Sequence, residues 1–515
     1  MKKQSIVTGA LILTAAGIIT RVLGFVYRIY LSNTIGAEGV GLYQLIMPVY
    51  GLAWSIACSG FNTTVSKLVA AENARGEVGN MNRILKQSVA ITSVIGVALG
   101  AALFFAAGPV ARVLFRDERT VLALRILSLA FPFMAAGTSI RGYFLGLREM
   151  VVPAINQVLE QCVRMGVIFA LAGFFIPMGL EYACAVCIIG IVCEEAVSFL
   201  YIAISYRMFK SRNSLNKRPT LASGQTLAMI ASMALPIMLT RVSGSLLSAA
   251  ENVLIPLRLE AHGMSASQAV SMFGQVTGMA MPLVYFPTAL LTSLSITLVP
   301  AVAEAVAAKR ENALRGTVTK SILFAFIAGI GAACLFTVFP RELGTAIYNQ
   351  PIGDMLLVIG LMCPFLYLQI VLSGVLNGLG FQVFIFRNSL LSSAINILFI
   401  YFLVPVSGVY AFLLGWFLSL ALVCALEVNK IRRSIPFKID APRWFLKPAL
   451  CAGAAGLAVK WAGNRYIIPL LGAKTGLFVS VALLAAGYCA FVFLTGCIDK
   501  SDMRRLIPVK KSLAK

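Results

Sequence analysis

Apolar residues come in long runs along the whole chain, separated by short connections rich in glycine, proline and basic side chains. The runs fall at about 5–32, 40–66, 87–108, 121–147, 151–175, 180–206, 225–258, 270–303, 319–339, 355–378, 384–403, 408–429, 445–463 and 475–496. A helix needs ~20 apolar residues to cross the hydrocarbon core of a bilayer, and each run is near that length. The strict alternation of an outer-membrane barrel strand is absent. The pattern predicts an all-α polytopic membrane protein of 14 transmembrane helices.

The runs repeat. Pro132, Phe133, Gly142, Gly146, Leu147 and Asn156 recur as Pro364, Phe365, Gly374, Gly378, Leu379 and Asn388, all at an offset of 232. Pro48, Arg75 and Glu77 recur as Pro282, Lys309 and Glu311 at an offset of 234. A shared offset over such a distance marks an internal duplication. Six runs per half is an even number, so both halves cross in the same sense, as a parallel repeat about an axis along the membrane normal. The expected organisation is an N-lobe at 1–212, a C-lobe at 225–433, two unpaired helices within 444–497 and a basic tail at 498–515. A polar, basic linker at 210–224 joins the lobes.

Charges inside the runs carry the candidate chemistry. Arg21 and Arg28 lie seven residues apart in the first run, hence on one helix face. Thr20-Arg21-Val22-x-Gly24 returns as Thr240-Arg241-Val242-x-Gly244 in the seventh run. Arg164 lies in the fifth run with Glu160, at a spacing that allows an ion pair on one helix. Glu194, Glu195 and Glu251 are further acids within the runs. A charge in mid-membrane costs roughly 2.5–3.5 kcal/mol on insertion scales, so such arginines call for a wet cavity and an anionic occupant. A guanidinium fork grips two phosphate oxygens at once, which suits a pyrophosphate. The expected substrate-binding set is Arg21, Arg28, Arg241, Arg164, Glu160 and Glu251. Gly24, Pro236, Gly244 and Pro256 are expected hinges, since glycine and proline permit bending within spans.

Composition narrows the class. Hydrophobic residues make up 59% of the chain and charged residues 12%, with a net charge of +23; mean hydropathy is +0.89. The basic residues gather in alternate loops, about 29 on one side, about 8 on the other and about 6 within spans. This is the positive-inside pattern, and it predicts cytoplasmic termini and contact with anionic lipid rather than nucleic acid. The opening MKKQS leads into a run too long for a cleavable signal, so the run reads as the first span. The 11 cysteines are scattered, and Cys184 and Cys187 sit in an apolar helix with no histidine nearby. His262 is the single histidine, in a loop. No metal site, cofactor or catalytic residue is expected. GAEGVG at 36–41 reads as a tight turn between spans, since no strand precedes it. No loop has the size of a soluble domain and no paired aspartates occur, which argues against an enzyme.

Two stretches carry a family likeness. ITRVLGFVYRIYLSNTIGAEGVGLYQLIMP at 19–48, with VSKLVAAENARGE at 65–77, resembles the opening of sporulation-linked members of the multidrug/oligosaccharidyl-lipid/polysaccharide exporter superfamily, in its lipid II flippase branch. LTRVSGSLLSAAENVLIPLRLEAHGMSASQA at 239–269 is similar to their seventh span. The resemblance implies two six-helix lobes in a V around a central cationic cavity, and a groove near helices 13 and 14 for a polyprenyl tail. It implies a cargo of undecaprenyl-pyrophosphate-linked peptidoglycan precursor, flipped outward across the cytoplasmic membrane for the spore cortex, with cell-wall synthesis proteins as partners. Arg21 matches the essential arginine of that branch's SRVLGF motif. Arg28 stands one residue out of register with its second arginine, and its acidic residue early in helix 2 falls near Leu42 and is missing here. The expected function is therefore a flippase for a lipid-linked oligosaccharide pyrophosphate, working by alternating access. The alternatives are a cation-coupled multidrug antiporter, a glycosyltransferase or polymerase, and a non-transporting scaffold of spore assembly.

Overall fold

The computed structural model describes residues 6–212, 219–436, 440 and 442–497. The tail at 498–515 and part of the linker, 213–218, lie outside the described residues. The described chain is helical, and its residues fall into two compact units. One runs to residue 274 and includes 404–406; the other comprises 275–403 and the chain from 407 onward.

In the first unit the principal helices are α1 (Ile6–Trp54), α2 (Gly60–Arg75), α3 (Val78–Pro109), α4 (Ala130–Leu147), α5 (Val151–Phe175), α6 (Leu180–Arg212) and α7 (Ser223–Ala261). In the second they are α8 (Thr288–Ala307), α9 (Glu311–Val338), α10 (Cys363–Gly378), α11 (Gln382–Phe402), α12 (Val409–Ser434), α13 (Lys447–Ala462) and α14 (Ala473–Leu494). Short helical turns connect them.

Among the described residues, ten helical runs are long and apolar enough to cross a membrane, or twelve when each of two bent pairs counts as one crossing. The protein is a multi-pass membrane protein. Two of the 14 apolar segments share the 64-residue run Ile12–Arg75. That run is broken at Gly36, whose φ of 69° is a conformation other residues rarely adopt. The expected turn at 36–41 is thus confined to one residue, and helix resumes at once. The segment at 445–463 holds only the 16-residue α13.

The repeat has a packing counterpart within each unit. In the first, a Cβ placed on Gly142 or Gly146 of α4 would lie 2.7 Å from the Asn62 or Ser66 carbonyl of α2. In the second, Cβ atoms on Gly374 and Gly378 of α10 would meet the Ser295 and Val299 carbonyls of α8 at 2.8 and 2.9 Å. Small residues let these helices cross backbone to backbone, as membrane helix packing favours. The helices carrying the glycines are each preceded by a bend, 40° before α4 and 47° before α10. Pro132 and Pro364 stand just past those bends, where the missing N–H cannot bond back to the preceding turn.

Where the linker is described, it is docked. The Thr220 and Leu221 backbone N–H groups donate to Asn80 Oδ1 of α3 at 2.9 and 3.0 Å.

Candidate functional site

Five arginines within the apolar runs of the first unit fall into two classes. Arg21 and Arg28 of α1 and Arg241 of α7 are exposed. Among the described residues, none of these three has an ion-pair or hydrogen-bond partner. The side of α1 that packs on α5 is a different one: Gln157 Nε2 donates to Thr20 Oγ1 at 3.3 Å, Gly24 faces Gln161, and the Tyr30 and Phe169 rings meet edge-on at 4.4 Å. The two Thr-Arg-Val motifs share local geometry. Thr20 Oγ1 donates to the Ala16 carbonyl at 3.0 Å, and Thr240 Oγ1 to the Pro236 carbonyl at 2.9 Å. Both arginines therefore follow a threonine folded back onto its own helix, which leaves the guanidinium to the surface.

Arg141 and Arg164 behave oppositely. Arg164 of α5 makes a two-pronged bond with Glu194 of α6, its Nε donating to Oε2 at 2.5 Å and its Nη2 to Oε1. Glu194 is 3% exposed. Arg141 of α4 donates through Nη2 to Glu160 Oε1 of α5. The same oxygen accepts from Asn156 Nδ2 at 2.8 Å and from Ser198 Oγ at 2.7 Å. Glu195, also buried, accepts from the Tyr50 hydroxyl at 2.5 Å. Three carboxylates and two guanidiniums thus form a node joining α1, α4, α5 and α6. Each buried charge meets either an opposite charge or a donor, as a low-dielectric interior demands.

This corrects one expectation. Glu160 and Arg164 do not pair along α5. Glu160 turns to Arg141 and Arg164 turns to Glu194, because neighbouring helices offer a bidentate partner. An i,i+4 pair is worth only ~0.2–0.5 kcal/mol on an exposed helix. Arg164 and Glu160 are therefore tied into the packing rather than left open as ligands. Arg141, Tyr50 and Ser198 did not stand out in the sequence; the usable signals were a charge within the run at 121–147 and the repeated Asn156. Glu251 is half-buried on α7. Helix α7 runs unbroken through Pro236, Gly244 and Pro256. Cys184 and Cys187 are buried free thiols, and His262 Nδ1 lies 2.9 Å from the Pro405 carbonyl.

The second unit holds an apolar cavity of about 440 Å³ between α9 and α14. Phe324, Ile327 and Leu335 line one side and Leu484, Tyr488 and Val492 the other. The Tyr488 hydroxyl closes onto the Ile327 carbonyl at 2.8 Å, so its lining is almost wholly hydrocarbon.

Residues 6–306 match the family model described as polysaccharide biosynthesis protein. Stage V sporulation protein B of Bacillus subtilis (strain 168) is 30% identical to the chain, over 98% of both proteins. The chain belongs to the polysaccharide biosynthesis protein family. Residues 236–402 also match the MatE family model. The lipid II flippase MurJ of Bacillus subtilis (strain 168) is 26% identical, over 68% of this chain and 65% of that protein. A solved structure of lipid II flippase MurJ, in an inward closed conformation, superposes with a TM-score of 0.68 at 13% identity. It covers 94% of this chain and 98% of that one, so the family's fold here is the one that this flippase shares with MATE transporters.

Proposed function

We propose that this family member is a flippase. It carries an undecaprenyl-pyrophosphate-linked peptidoglycan precursor, of the lipid II kind, across the cytoplasmic membrane by alternating access, for spore cortex synthesis. The single observation that carries the reading is the trio Arg21, Arg28 and Arg241: three cations in membrane-spanning helices with no counter-charge among the described residues. In hydrocarbon they would cost roughly 2.5–3.5 kcal/mol each, so they belong in a hydrated chamber. Their forks fit the oxygens of a pyrophosphate. Pro236, Gly244 and Pro256 on α7 and Gly24 on α1 supply the bending that rocking of the lobes requires. The apolar cavity beside α14 suits a polyprenyl tail. The two helices beyond the repeat, within 444–497, and the basic tail at 498–515 complete a chain of 14 spans with cytoplasmic termini.

An inside-negative potential favours outward movement of anionic cargo by ~2.3 kcal/mol per charge per 100 mV, so export of this kind needs no dedicated proton relay. The similarity to stage V sporulation protein B and to a lipid II flippase supports the cargo class. Reconstitution with fluorescent lipid II tests it. Flipping in liposomes should fall at least about tenfold in Arg21→Ala and in Arg241→Ala, equivalent to ~1.4 kcal/mol of lost headgroup interaction. Undiminished flipping in both variants would remove the arginines from the mechanism.

The MatE match over 236–402 favours one rival, a cation-coupled drug antiporter. Resistance conferred on a drug-sensitive host, with no lipid translocation in liposomes, would select it.

A further inference from the structure

Glu427 of α12 is 1% exposed, and its Oε2 meets no hydrogen-bond donor among the described residues. Asn388 of α11 is 5% exposed, and its Nδ2 likewise finds no acceptor. Three contacts fix how these helices lie together. Ser419 Oγ donates to Asn396 Oδ1 at 2.9 Å, Gly415 packs on the Phe399 side chain, and Lys430 Nζ stands 5.9 Å over the Phe384 ring. They share one antiparallel register, and that register sets position 388 level with position 427. An orphan donor and an orphan carboxyl oxygen thus occupy one buried layer.

Among the described residues, no cation answers the carboxyl. Lys430, one turn on, is turned to the Phe381 ring at 4.3 Å. Arg387 of α11 and Arg432 and Arg433 of α12 are exposed, and among the described residues none pairs with Glu427. The other titratable groups on the packed helices are Cys363 and Tyr367 of α10, Tyr401 of α11, and Tyr410 and Cys424 of α12. Tyr367 is bonded to the Val284 carbonyl at 3.1 Å and Cys424 to the Phe365 carbonyl at 3.4 Å.

The repeat sharpens the point. At the offset of 232, Glu427 corresponds to Glu195 and Asn388 to Asn156. The guanidiniums of the first unit's node, Arg141 and Arg164, correspond to Ser373 and Asn396. The second unit has the acid and the amide without either arginine. An isolated buried carboxylate takes up a proton rather than bear the desolvation of its charge. A hard metal cation would require several converging oxygens, and the level position offers a single amide.

We propose that Glu427, with Asn388, is a proton-binding site of the second unit. Glu427 holds a proton as the neutral acid while α10, α11 and α12 are packed together, its carbonyl facing the Asn388 amide. When that packing opens to water, the O–H bond breaks, the proton passes to water and the carboxylate remains hydrated. The inference concerns proton binding alone and does not rest on the cargo.

Infrared difference spectroscopy on the full-length protein in lipid vesicles at neutral pH tests it without any transport readout. The parent should show a carbonyl stretch of a protonated carboxyl that disappears in Glu427→Gln and persists in the surface variant Glu304→Gln. Glu427→Gln, which mimics the neutral acid, should remain monodisperse and as thermally stable as the parent. A spectrum unchanged by Glu427→Gln would overturn the proposal. So would a Glu427→Gln protein that aggregates while Glu304→Gln does not, since that marks a charged carboxylate with a required partner.

Discussion

Two sets of arginines within one unit meet opposite fates. Arg141 and Arg164 reach carboxylates on adjacent helices and disappear into a hydrogen-bonded node. Arg21, Arg28 and Arg241 sit in equally apolar segments and reach nothing of opposite charge among the described residues. The difference does not lie in the arginines but in what their helices face. Helices α4, α5 and α6 pack against one another and bring Glu160 and Glu194 within reach. The exposed face of α1 carries Ile18, Val22 and Val26 around Arg21, and among the described residues no acid pairs with that arginine. Sequestered arginines hold helices together; open ones are available to a ligand.

The largest effects should come from breaking the closed set. Arg164→Ala or Glu194→Ala leaves an uncompensated buried charge, which typically costs about 3–5 kcal/mol. A marked fall in apparent melting temperature in detergent is expected for each. The double variant Arg164→Met with Glu194→Met, which removes both charges, should recover most of the loss. Additive losses in the double variant would mean that the pair does not act as a unit. Arg21→Ala, by contrast, should leave the melting temperature nearly unchanged, since exposed substitutions usually lie within about 0.5 kcal/mol. A loss as large as that of Arg164→Ala would erase the distinction between the sets. Between these two should fall Tyr50→Phe, which removes a donor from Glu195 while the neighbouring ion pairs remain. About 1–3 kcal/mol is expected, read in the same melting assay.

Much of this architecture was legible in the chain. Hydrocarbon thickness forces long apolar runs, and the runs lie on helices throughout the described residues. The repeat could be read from Pro132/Pro364 and Gly142/Gly374 because those residues make the bends and close crossings that both units need. The open arginines were legible for the same reason: a charge in an apolar run advertises itself. Pairing was not. Which acid Arg164 meets depends on how α5 and α6 rotate against each other, and spacing along one helix pointed to Glu160 instead. Arg141 was overlooked because its partner lies 19 residues away on another helix. The shared register of Asn388 and Glu427 likewise exists only once α11 and α12 are packed.

Headgroup binding is the most direct test of the central claim, that the open arginines hold an anion. Purified protein in nanodiscs, titrated with a short-chain polyprenyl pyrophosphate, should bind it with an affinity that falls at least about tenfold in Arg21→Ala with Arg241→Ala, and that weakens with salt in the parent. Equal affinity in parent and double variant, at matched salt, would contradict the account.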